Sequence, residues 1–123
     1  MSGRIAVKKV VLNLVVGMIA LLGIGQLAFA HAHLLSSTPR ANGMVQGPAI
    51  AIDLKFNSRV DSARSHLDLV LPDGKVESLN VSAPGNAELA SQAKLAPGKY
   101  IIRWQALSTD GHITRGEVPF TVR

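Results

Sequence analysis

From about residue 31 onward the apolar residues recur at every second position, the period of a strand with one buried and one wet face. Ile50, Ile52, Leu54 and Phe56 alternate with Ala51, Asp53 and Lys55, and Pro48 suits a strand start. Leu67, Leu69 and Leu71 repeat the pattern up to Pro72-Asp73-Gly74, a turn in which proline presets φ and glycine is free to take positive φ. Lys75 to Val81 then returns as the partner strand. A second pair surrounds Pro97-Gly98, with Glu88 to Leu95 leading in and Tyr100, Ile102, Trp104 and Ala106 facing one side on the way out. Trp104 shares its parity with apolar neighbours and is expected in the core. Val118, Phe120 and Val122 form a last strand. With the segment from His31 to about Ser36, the pattern predicts an all-β chain of seven short strands, a Greek-key β-sandwich or barrel, and helical periodicity is nowhere convincing.

The first thirty residues follow another pattern. Arg4, Lys8 and Lys9 precede an apolar run from Val10 to about Leu22, and Ala28-Phe29-Ala30 offers small residues for cleavage, so residues 1–30 read as a secretory signal peptide. The competing reading is an uncleaved transmembrane anchor, because the apolar character, broken by Asn13, glycines and Gln26, continues over the roughly 20 residues a bilayer needs. Cleavage after Ala30 leaves residues 31–123 as one domain, too short for two cores.

Export also changes the charge balance. Three of the thirteen basic residues precede His31 and all eight acidic ones follow it, so the whole-chain value of +5 falls to +2 in the mature protein. That balance, with Arg59 and Arg64 lacking interleaved aromatics, argues against a nucleic-acid partner. Cysteine is absent, so neither disulfides nor thiolate-bound zinc is available. Met44 is the one methionine after residue 30, too few thioethers for a copper(I) site, so any copper held here is copper(II).

Cleavage after Ala30 would place an α-amine and an imidazole on the same residue, His31. The amine and Nδ1 close a six-membered chelate ring, and an amine pKa of about 8 lets copper(II) displace the proton near neutral pH. Asp110-Gly111-His112 can add a carboxylate and a second imidazole, the glycine permitting a tight turn that aims both at one point. Three nitrogens and one oxygen in a plane suit copper(II). Alone, Asp-Gly is an ordinary turn signal and the adjacent histidine a common surface residue.

His33 opens a rival mode in which the free amine, two deprotonated backbone amides and the His33 imidazole wrap copper(II) or nickel(II), leaving Asp110 and His112 idle. That mode requires the Ala32 and His33 amides to leave any strand ladder. Otherwise His33, at the same strand parity as His31, is an auxiliary group beside the site. His66 reads as a surface residue. No Gly-x-Ser-x-Gly elbow, His-Glu-x-x-His helix or phosphate-binding glycine motif is present.

His31-Ala32-His33-Leu34-Leu35-Ser36-Ser37-Thr38-Pro39 resembles the start of the CopC family of periplasmic copper-resistance proteins. So does the stretch from Leu95-Ala96-Pro97-Gly98-Lys99-Tyr100 through Trp104, Ser108 and Asp110-Gly111-His112 to Gly116 and Phe120. The resemblance spans essentially the whole mature chain. It implies a cupredoxin-like or immunoglobulin-like fold, with one copper(II) per mature chain held by His31, Asp110 and His112. It further implies copper buffering, resistance or delivery in the periplasm, alongside an inner-membrane CopD-like transport protein; the chain itself is expected to be a monomer with no small-molecule substrate. Two departures stand out: the methionine-rich copper(I) loop of some members is missing, and Ser58 stands where others carry a glutamate. The chain is accordingly expected to be no enzyme. Two other function classes compete with a copper carrier, a metal-free adhesion or interaction module and a copper monooxygenase using an N-terminal histidine. Neither needs another fold.

Overall fold

The computed structural model describes residues 31–123; the segment read as a signal peptide, residues 1–30 with its cleavage point, lies outside the described residues. Eight strands follow in order: β1 (Leu34–Thr38), β2 (Gly43–Val45), β3 (Ala49–Phe56), β4 (His66–Val70), β5 (Val76–Leu79), β6 (Glu88–Lys94), β7 (Gly98–Leu107) and β8 (Ile113–Val122). A single 3₁₀ turn, Ser62–Arg64, capped by the Asp61 carboxylate on the Ala63 N–H, joins β3 to β4.

The strands form two sheets, β1-β3-β6 and β2-β8-β7-β4-β5. The chain changes sheet on either side of β2, between β3 and β4, and again on either side of β6, which is Greek-key routing. Alternation along the strands puts Ile50, Ile52, Leu54, Phe56 and Leu89 from the small sheet against Leu67, Leu69, Ile102, Trp104, Val118 and Phe120 from the large one in a single core. Each such side chain contributes about 2 kcal/mol relative to an exposed position. Trp104 meets Phe56 edge-on at 5.3 Å, within the core as its parity predicts. The Tyr100 hydroxyl donates to the Ala96 carbonyl at 2.7 Å, fastening the corner through which the chain enters β7.

The all-β sandwich is the architecture read from the pattern, with three differences in detail. The eighth strand, β2, pairs in parallel with the end of β8; three residues with Gly43 at the start are too few to show an alternation. β8 also begins five residues ahead of Val118, because its first half fills the core side with Thr114 and Gly116 instead of large apolar groups. The β7–β8 ladder therefore runs unbroken from Gly98↔Val122 to Leu107↔Ile113. Asp110-Gly111-His112 sits at the tip of that hairpin. β1 starts only at Leu34, so His31, Ala32 and His33 lie ahead of the first strand.

Candidate metal centre

Ser108 to His112 close the β7–β8 hairpin with two backbone bonds, Ser108 N–H to the His112 carbonyl and Gly111 N–H to the Ser108 carbonyl, both 2.9 Å. Gly111 adopts φ +89°, a left-handed conformation that costs a Cβ-bearing residue and lets the chain turn back after a three-residue loop. The Asp110 side chain folds over this turn. Its Oδ1 accepts the buried Ser108 hydroxyl and, at 3.2 Å, the His112 backbone N–H. These bonds favour the ionised form, so the Ser108 hydroxyl first and the His112 N–H second push the Asp110 carboxyl down to about 2. Oδ2 lies 3.1 Å from Nδ1 of His112. That contact orients the imidazole and leaves Nε2 free to bind a metal, while the carboxylate retains unused lone pairs on Oδ2.

The other half of the centre comes from the opposite end of the chain. Ala32 is fully buried in the core, and its carbonyl accepts the Thr114 hydroxyl of β8 at 2.8 Å. His33 is held at both backbone groups: its N–H donates to Asn57 Oδ1 at 2.7 Å and its carbonyl accepts the Asn57 N–H at 3.0 Å. So fixed, the segment carries the His31 ring against that of His112, centroids 4.3 Å apart and edge to face. The Nδ1 atom of His31 is buried with no hydrogen-bond partner among the described residues. An imidazole nitrogen left bare in this way is a donor awaiting an acceptor such as a metal.

His31, Asp110 and His112 each present a ligand atom within 4.8 Å of the others, a spacing compatible with one shared ion. The three residues singled out from sequence thus converge. His33 does not join them and points into solvent. His66 lies on β4 opposite Gln105, exposed and away from the cluster. At the position lacking a glutamate, the Ser58 hydroxyl is buried with no hydrogen-bond partner among the described residues, so no carboxylate supports the centre there. The sequence reading assigned no role to three residues that shape the centre: Ser108, named there only within the family-like stretch, with its orienting hydroxyl, and the anchors Thr114 and Asn57. Ser108 carries a local signal, lying two residues before an Asp-Gly turn, whereas the anchors act across 82 and 24 residues.

The sequence profile of the CopC domain matches residues 34–123. The chain belongs to the CopC family. Protein YobA of Escherichia coli K12 is 33% identical over 102 residues, 77% of this chain and 81% of that one. Copper resistance protein C of Xanthomonas campestris pv. juglandis is 30% identical over 106 residues, covering 78% and 83%. The crystal structure of CopC from Methylosinus trichosporium OB3b superposes with a TM-score of 0.67 at 32% identity, covering 75% of this chain and 93% of that one. CopC proteins are copper-binding resistance proteins and not enzymes, which places this chain in copper handling.

Proposed function

We propose that this CopC protein is an exported, periplasmic, monomeric carrier of one copper(II) ion, released from its leader after Ala30 and ligated by the His31 amine and Nδ1, His112 Nε2 and an Asp110 oxygen. The observation that carries this reading is the meeting of an unpartnered His31 Nδ1 with Asp110 and His112 inside one 4.8 Å cluster. Hard and borderline donors, three nitrogens and one oxygen without sulfur, favour copper(II) over copper(I). The chain's own contribution is preorganisation. Ser108 holds the Asp110 carboxylate in place, Asp110 keeps His112 turned, and burial of Ala32 keeps His31 in place.

Exposure favours exchange over permanent storage. The His112 side chain is 60% exposed at a hairpin tip, open to a donor from another protein that replaces one ligand at a time. We therefore assign the carrier to buffering and delivery, with an inner-membrane CopD-like protein as recipient. The test is an intact mass of the exported protein followed by copper(II) titration. A mass beginning at His31, one copper(II) per chain and loss of that binding in His112→Ala are expected. A retained leader, a different first residue, or unaltered affinity in His112→Ala overturns the reading.

A further inference from the structure

The residues that begin the domain offer copper(II) two mutually exclusive homes. In one, His31 contributes its amine and Nδ1 and the chain supplies Asp110 and His112. In the other, the His31 amine, the Ala32 and His33 amide nitrogens and the His33 imidazole surround the ion in a plane, two amide protons passing to solvent and the metal staying copper(II). The second home needs nothing from the rest of the fold, so a short flexible peptide with this sequence would adopt it.

The fold works against it at three points. The His33 N–H, which the wrapped form must surrender, is bonded to Asn57 Oδ1 at 2.7 Å. The His33 carbonyl is bonded to the Asn57 N–H, and the Ala32 carbonyl to the Thr114 hydroxyl. The Ala32 methyl is fully buried and has to leave the core before the chain can wrap. The same three bonds hold His31 against His112. We propose that Asn57 and Thr114 are positioning residues that select the coordination mode, steering copper(II) from the wrapped His31-Ala32-His33 form into the folded centre. This rests on the carrier reading above and adds to it the residues that decide between two copper complexes encoded by one tripeptide.

The experiment compares the visible band and electron paramagnetic resonance of copper(II)-loaded mature protein, with circular dichroism confirming the fold. In the wild type the signature should change with His112→Ala and ignore His33→Ala. In Asn57→Ala/Thr114→Val the band should move to shorter wavelength, become insensitive to His112→Ala and be lost with His33→Ala. Asn57→Asp, which keeps an acceptor for the His33 N–H, should restore the wild-type pattern. A folded double variant that keeps the wild-type dependence on His112 overturns the proposal. A wild type that itself depends on His33 and ignores His112 overturns instead the carrier's ligand set. Should the double variant not fold, Asn57→Ala alone gives the same reading. Amide exchange in the metal-free wild type is an independent check: His33 N–H should be protected, and exchange at the rate of an open chain refutes the clamp.

Discussion

Two hairpin tips at opposite ends of the five-stranded sheet share one backbone and differ in chemistry. Leu71 to Lys75, between β4 and β5, repeats the bonds of Ser108 to His112: Leu71 N–H to the Lys75 carbonyl at 2.8 Å and Gly74 N–H to the Leu71 carbonyl at 2.9 Å. Gly74 has φ +88° where Gly111 has +89°. Asp73 Oδ1 accepts the Lys75 N–H at 3.0 Å as Asp110 Oδ1 accepts that of His112. Even the last side chain returns to the aspartate, Lys75 Nζ at 4.0 Å and His112 Nδ1 at 3.1 Å. The Asp-Gly turn is thus a generic device for reversing a hairpin. What makes one copy a candidate copper centre is a hydroxyl at its first position, an imidazole at its fifth and His31 alongside.

The comparison breaks most sharply at the fifth position. His112→Ala should weaken copper(II) binding by more than the roughly 10- to 100-fold typical of residues that only orient a ligand, whereas Lys75→Ala should leave competition titrations unchanged. Ser108→Ala removes an orienting group and should cost about 10- to 100-fold in affinity. The same change releases the Asp110 carboxyl upward from about 2, because its largest stabilising bond is gone. Since the folded carboxyl lies below that of an unfolded aspartate, its contribution to stability is present above about pH 4 and fades as the pH falls toward 2. Ser108→Ala should move that fading to higher pH, read by an NMR titration of the Asp110 carboxyl carbon with and without the substitution.

The shared backbone yields a paired test. A Cβ at Gly74 or Gly111 meets nothing within 4 Å, so alanine there reports backbone strain alone. Each substitution should cost about 1 kcal/mol, a melting shift of about 4–8 °C in a domain of this size, and only Gly111→Ala should also weaken copper. Smallest of all is the gain expected from Lys75→His. It recreates Asp-Gly-His on the same turn, yet with no histidine of the first segment beside it the titration should still end at one copper per chain.

These twin tips also mark where sequence reading ends. Alternation at Ile50 to Phe56 and at Tyr100 to Ala106 reveals which face is buried because sheet geometry forces period two, and Asp-Gly reveals a turn because glycine takes a positive φ most readily. Neither rule distinguishes Asp73-Gly74 from Asp110-Gly111. His112 and a histidine at residue 31 mark the difference in the sequence, but the docking of His31 does not show there, because the groups responsible, Thr114 and Asn57, are ordinary polar residues whose partners are remote in the chain. Gly43–Val45 stayed invisible for a related reason: it pairs with Phe120 to Val122 through backbone groups, which leave no imprint on side-chain type.

His31 and His112 stand near the two ends of the folded domain, and the chain has no cysteine with which to tie those ends together. In the proposed carrier, an ion gripped by both would close a loop of about 80 residues, doing for this sandwich what a long-range disulfide does for small exported domains. Unlike a disulfide, that cross-link would come and go with the cargo. On that proposal a filled molecule should resist heat and proteases better than an emptied one, and metal supply would then set the lifetime of the protein that carries it.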